Sequence, residues 1–389
     1  MRVRLGLLLG LCVFFLPCIS LSRAQTDGST PLPADLLFTT LTGDTPFFTT
    51  LMRVDAQTLQ TSPFYVDAGV YIRPLSWSPT GDLLAILRLP STDVDYFEVC
   101  LVTAEGVLKA CFEDKITVHG FRERGQNYTV TWSEDGRNLY FVTDYDLFHW
   151  NEGTSDEWGA CLVEAEVSTG QTWQTIYQTQ VIAHYPPPIL SWTNDLHYLL
   201  VSQWPPITID LWENVEFMLP QELPDLGQLE FCDQFSPQGQ YLTARAYVND
   251  ELAGWVLVSP GGQIVQTVNS EQLQQVGIDW MECPVWQSDE AAFYFLGGKD
   301  KSTSLFKYVL AANAFVNVKQ LYPSDSQYIP LSPISLAPDN ATLAITFGIP
   351  GSSATEIHVL TPDNEWLTYG GEEMSVPIGE NPVWFPSSE

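Results

Sequence analysis

Residues 75 to 89 read LSWSPTGDLLAILRL. An apolar strand ends at Trp77, a Ser-Pro-x-Gly turn follows, and LLAIL returns antiparallel to it as a second strand. The unit recurs along the chain. Aligned on its aromatic, it reads WSPTGDLLAIL at Trp77, WSEDGRNLYFV at Trp132, WTNDLHYLLV at Trp192, FSPQGQYLTAR at Phe235, WQSDEAAFYFL at Trp286 and LAPDNATLAIT at Leu336, and WFPSSE at Trp384 ends it. Successive separations of 55, 60, 43, 51, 50 and 48 residues are those of a repeat architecture. The fourth residue after the aromatic should be left-handed, where glycine has no steric cost. Gly81, Gly136 and Gly239 meet that demand and Asn340 substitutes for glycine, whereas Leu196 and Glu290 imply turns of another length or type.

Between one turn and the next aromatic there is room for two more strands, as in FEVCLVTAEGVLKACF or CLVEAEVSTGQTWQTI. Four antiparallel strands per unit make a propeller blade. Helical periodicity is confined to SEQLQQVG, Ser270 to Gly277, so the expected class is all-β. The aromatic-Ser-Pro-(Asp/Thr/Gln)-Gly-x-x-(apolar strand) pattern resembles the repeat of TolB-type, WD40-like propellers over essentially all of the chain after residue 24. Three units match closely and three loosely, and the Trp-Asp dipeptide of WD repeats is absent. The resemblance implies a propeller fold. It does not carry over TolB's partners, because TolB's propeller follows a separate α/β domain, whereas only about ten residues are expected between the signal and the first strand here.

Seven second strands are expected, LLFTTL from Leu36 and others near Leu83, Leu139, His197, Tyr241, Ala292 and Leu343. The first has no aromatic unit before it, and Trp384 has no strand after it. These pieces fit together: a C-terminal strand at NPVWF should be the innermost strand of the blade formed by residues 36 to 66, closing a seven-bladed ring without an open edge. The expected organisation is a signal peptide at 1–24, a linker at 25–34 and a β-propeller at 35–386. The signal reading rests on Arg2 and Arg4, an apolar core of about 15 residues from Leu5, and small residues before Ala24. That core is shorter than the ~20 residues of a spanning helix. A secreted, periplasmic or cell-surface location follows.

The chain holds 47 acids against 16 Lys and Arg, a formal net charge of -31, which disfavours nucleic acid and anionic membranes as partners. Export implies an oxidising compartment, and five cysteines follow the signal: Cys100, Cys111, Cys161, Cys232 and Cys283. Cys100 and Cys111 flank a hairpin and can form a cross-strand disulfide; an odd count leaves at least one unpaired. The alternative is that all five are small buried apolar residues.

Of thirteen tryptophans, five occupy the repeat position and belong between blades. Trp150, Trp158, Trp204 and Trp212 do not. DYDLFHWNEGTSDEW, Asp144 to Trp158, mixes acids with aromatics in a loop between second and third strands, and QWPPITIDLWENVEFMLPQELPDLG, Gln203 to Gly227, similarly interrupts the pattern. Propeller loops carry recognition while blades are scaffold. The candidate partner-binding residues are therefore Asp144, Asp146, His149, Trp150, Trp158, Trp204 and Trp212, the partner being a protein or glycan at the cell surface and the chain a monomer. Asp93 with Asp95, and Asp144 with Asp146, alternate like calcium ligands without completing the Asp-x-Asp-x-Asp-Gly loop, so no cofactor is expected and calcium is the one ion left open. There is no Gly-x-Ser-x-Gly, His-Glu-x-x-His or phosphate loop, and VSTGQTW at Val167 lacks the aspartate of a sialidase Asp-box. A binding module is the primary expectation. A lyase- or glycosidase-type enzyme with its site at the channel mouth is the alternative, and a calcium-stabilised structural protein the third.

Overall fold

The computed structural model describes residues 31–42, 48–67, 71–91, 93–94, 96–117, 130–144, 160–178, 189–202, 205–300, 302–322, 329–348, 355–363, 366–370 and 379–386. They form seven antiparallel sheets arranged in a ring, a seven-bladed β-propeller. Blade 1 is Leu36–Thr42, Phe48–Val54 and Thr61–Val66, with Gly379–Trp384 as its inner strand. Closure is as expected: Leu36 pairs with Trp384 and Leu37 with Val383. From the inner strand outward, blade 2 is Tyr71–Trp77, Leu83–Leu89, Tyr96–Thr103 and Leu108–Thr117. Blade 3 is Val130–Trp132, Asn138–Asp144, Ala160–Glu166 and Gln171–Gln178. Blade 4 is Ile189–Trp192, Tyr198–Ser202, Ile207–Asp210 and Val215–Met218.

Blade 5 is Gly227–Phe235, Leu242–Val248, Glu251–Val258 and Ile264–Asn269, with the two-residue strand Glu222–Leu223 added inside. In blade 6 the inner strand is broken into Trp280–Met281 and Val285–Trp286, both paired with Ala292–Gly298, followed by Thr303–Val309 and Ala314–Tyr322. Blade 7 is Ile329–Leu336, Leu343–Gly348, Thr355–Leu360 and Trp366–Gly370. The expected helix is Ser270–Gln275, started by a capping box in which Asn269 and Gln272 each accept the other's backbone N–H, and anchored by buried Leu273.

Every repeat aromatic is the last residue of an inner strand, and the turn after it is closed the same way six times. The N–H of the fourth residue on, 81, 136, 196, 239, 290 or 340, donates to the carbonyl of the first, 78, 133, 193, 236, 287 or 337. Leu196 and Glu290 correct the sequence reading here. Both sit at positive φ, 55° and 56°, in the same turn as the glycines. Their left-handed strain, of order 1–2 kcal/mol, is offset by side-chain contacts glycine lacks: Leu196 packs on the core of blades 2 to 4, and Glu290 Oε1 accepts the Gln238 N–H of the neighbouring turn at 2.6 Å.

The second strands read as unbroken apolar runs because each blade is covered by a neighbour on both faces. In Leu83–Leu89 the first five side chains are all buried. Repeat aromatics fill the seams: Trp132, Trp192, Trp286 and Trp384 are buried, and the indoles of Trp132 and Trp384 reach back to Ser76 and the Ser335 carbonyl of the preceding blade. Trp77 is half-buried against Phe385 and Phe64. At the rim, the hairpin between third and fourth strands of one blade lies over the blade before it. Gly106 of blade 2 approaches the Phe64 carbonyl so closely that an added Cβ would stand 2.0 Å from it. Thr208 of blade 4 donates to the Pro260 carbonyl of blade 5, and Gln266 of blade 5 donates to Asn313 of blade 6. The packed body begins by Leu32, which is buried against blade 1 within the segment read as linker. No helix among the described residues is long and apolar enough to cross a membrane.

A second correction concerns residues 203–227. From 205 onward this segment does not interrupt the repeat: it supplies the third and fourth strands of blade 4 and the short strand Glu222–Leu223. Strands of four residues are too short to display alternation.

Candidate functional site

The exposed hairpin of blade 4 carries the most distinctive surface among the described residues. Its third strand ends at Asp210, whose Oδ1 accepts the N–H groups of Trp212 and Glu213 at 3.0 and 2.9 Å, so the carboxylate folds the chain back on itself. Asn214 completes the turn at φ 53°. The same carboxylate reaches sideways, with Oδ2 3.2 Å from His197 Nε2, and the Leu211 N–H donates to the His197 carbonyl. His197 follows the left-handed residue Leu196, which aims its ring at the hairpin.

Three rings then stack. Trp212 lies on His197 with centroids 3.9 Å apart and planes 9° from parallel, and His197 lies on Tyr198 at 4.1 Å and 21°. Trp212 is nevertheless 65% exposed, so one indole face is covered by imidazole and the rest is open. The Glu213 N–H, with help from His197, holds the Asp210 carboxyl below the usual range. A flat ring already fixed in orientation loses little entropy on contact with a ligand. Chemically the surface offers stacking to the apolar face of a sugar, an aliphatic or proline side chain, or a cation.

Of the expected site residues, the structure places Trp212 in this stack and Asp144 at the end of the second strand of blade 3. Asp146, His149, Trp150, Trp158 and Trp204 lie outside the described residues, as does Asp95. Segment 145–159 does join second to third strand of blade 3, as expected. Sequence reasoning missed His197, Tyr198 and Asp210. The Asp-x-Trp-Glu-Asn spacing marks a carboxylate-capped hairpin, but nothing in the sequence brings His197 beneath Trp212.

Cys100 and Cys111 stand opposite each other in blade 2 and are joined as a disulfide. A second disulfide, Cys232–Cys283, links the inner regions of blades 5 and 6, and Cys161 is buried in blade 3 outside both. The Glu98 carboxylate with the Cys100 and Cys111 sulfurs is the one close grouping of three potential metal donors among the described residues, and its sulfurs are bonded to each other.

Charged groups also gather on the two innermost long strands of blade 5. Arg245 donates to Glu230 Oε1 at 2.6 Å and to the Met281 carbonyl at 3.1 Å, its guanidinium 6.0 Å from the Tyr247 ring centroid. Nearby, burial pushes the Asp233 carboxyl up against the opposing effect of a hydrogen bond from Ser202, and among the described residues its buried Oδ1 accepts no hydrogen bond. The Arg245 fork is already occupied by protein groups on both terminal nitrogens, which suits a seam between blades better than a substrate clamp.

No known family profile matches the chain, and no curated protein is similar to it in sequence. Solved structures are similar in fold. A periplasmic gluconolactonase from Pseudomonas aeruginosa aligns with a TM-score of 0.54 and 13% identity, over 91% of this chain and 99% of that one. An oligogalacturonate lyase from Vibrio parahaemolyticus aligns at 0.51 and 13%, over 86% and 85%. TolB from Acinetobacter baumannii aligns at 0.44 and 11%, over 90% and 82%. At these identities the first two likenesses support the propeller fold alone and carry nothing of an activity.

Proposed function

We propose that the chain is an exported binding module that recognises a protein or glycan partner through the surface of its propeller and performs no chemistry on it. The observation that carries this reading is the Trp212 ring, open to solvent yet fixed by His197 and, through it, by Asp210. Tryptophan is enriched among the residues that anchor interfaces, and a ring already fixed in orientation loses little entropy on contact. Export is supported by the N-terminal segment and by two disulfides, which persist in oxidising compartments.

The test is a pull-down from native envelope and medium together with a glycan array, using the chain from residue 25 and its Trp212→Ala variant. Loss of a partner or glycan signal in the variant, at an unchanged melting midpoint, supports the reading; identical profiles reject the hairpin as the recognition surface. The alternative, a lyase- or glycosidase-type site toward the channel, draws on one observation, the buried carboxyl of Asp233 beside Arg245. Turnover of a polysaccharide or lactone panel that is abolished in Asp233→Asn would establish it instead.

A further inference from the structure

Lysine and arginine are absent between Arg137 and Arg245. That run holds fifteen Asp and Glu, and so contributes -15 of the formal net charge of -31. It spans nearly all of blade 3, the whole of blade 4 and the inner strand of blade 5. One arc of the ring is therefore acidic without a single compensating base, while the sixteen Lys and Arg are all confined to the rest of the chain.

Within that arc, the hairpin and outer strand of blade 4 alternate apolar and acidic residues at the surface. Trp212, Val215 and Met218 are exposed, and so are Glu213 and Glu216 between them. The outer strand Val215–Met218 pairs only on its inner side, with Ile207–Asp210; among the described residues no strand covers its other edge. The apolar strip continues into blade 5: Gly262 sits against the Met218 carbonyl, and Ile264 and Val265 beyond it are exposed. Five of the ten exposed large apolar residues among the described ones thus lie on the rims of two adjacent blades.

We infer that the rim of blade 4 docks an extended protein segment bearing lysine or arginine between apolar residues, laid along Val215–Met218. This deepens the binding-module reading and rests on it, naming the chemistry of the partner. Charge complementarity selects the occupant. Glu213 and Glu216 attract cations, the open face of Trp212 accepts one by its ring electrons, and Val215 and Met218 receive apolar side chains. Ahead of the Met218 carbonyl, where Gly262 sits, the strand edge offers backbone groups to an added strand. A second copy would bring the same acidic arc against itself, and a neutral glycan gains nothing from the charge.

The probe is a fluorescein-labelled octapeptide alternating lysine with valine, compared with one alternating glutamate with valine, in fluorescence anisotropy against the chain from residue 25. Binding of the lysine peptide that weakens at high salt, and that falls about tenfold in the E213K/E216K variant but not in E105K/E134K, which makes the same charge change on turns of blades 2 and 3, supports the inference. Equal loss in both variants, or equal binding of the two peptides, overturns it. So does absence of lysine-peptide binding. If that absence comes with a Trp212-dependent glycan or other partner in the pull-down, the module stands and only its partner chemistry is wrong; if the pull-down and the glycan array return no partner at all, the module reading falls as well. Melting curves of the four proteins verify that each is folded.

Discussion

The left-handed residue of the repeat turn shows what one position contributes. Gly136 and Gly239 occupy it at φ 68° and 74° in different surroundings. A Cβ on Gly136 would meet only Pro79 Cδ at 3.7 Å, whereas one on Gly239 would come within 2.5 Å of Thr193 Cγ2 in the neighbouring turn. Gly136→Ala should therefore cost about 1–2 kcal/mol, the left-handed penalty alone. Gly239→Ala should cost clearly more, and urea denaturation of the two variants would show equal losses if inter-turn packing were unimportant. The hydroxyl one residue past the aromatic has a further duty that its recurrence only hinted at. Ser78, Ser133, Thr193 and Ser236 each accept the N–H of the residue that leads into the returning strand, at 3.1, 2.9, 3.0 and 2.9 Å.

Strands acquire their partners from the ring, and the disulfides show how far that was legible. Cys100 and Cys111 flank one hairpin, so their pairing follows from local spacing. Cys232 and Cys283 are 51 residues apart and no local rule connects them, yet each stands three residues before its repeat aromatic, Phe235 and Trp286. Equivalent positions on neighbouring inner strands are adjacent once the ring forms, and that phase was the available signal. Loop-closure entropy assigns about 4 kcal/mol to a link spanning 51 residues and about 3 kcal/mol to one spanning 11. Replacing Cys232 and Cys283 by serine should thus lower the calorimetric midpoint more than replacing Cys100 and Cys111. The reverse order would mean that native-state contacts, and not chain entropy, set the difference.

Closure makes the ring one cooperative body. Ending the chain at residue 378 removes the inner strand of blade 1 and leaves Leu36–Thr42 with an open edge. The expected outcome is loss of a single sharp melt together with aggregation; a melt like the parent's would show that blades 2 to 7 hold the ring unaided. Acidity adds a pH signature. The Asp233 carboxyl is pushed above the aspartate range by burial, so the folded chain retains a proton that the unfolded chain releases. Its stabilising contribution is complete below the unfolded pKa of about 3.9 and is lost as pH rises through the higher folded value. Asp233→Asn should flatten that decline and raise the midpoint at neutral and alkaline pH relative to the parent. Parallel pH profiles for the two proteins would refute the assignment.

Repeat spacing, turn chemistry and apolar runs determined the number of blades, the strand that closes them and the aromatics that fill the seams, because each is written within a unit of about 50 residues and copied around the ring. Two turns were misread, at Leu196 and Glu290, because the contacts that offset their backbone strain come from elsewhere in the fold. The Trp212 stack lay beyond sequence reasoning for the same reason. Its members come from a turn and a hairpin that meet only when blade 4 folds, and the exposure on which the role proposed for Trp212 rests is a property of the rim and not of the residue.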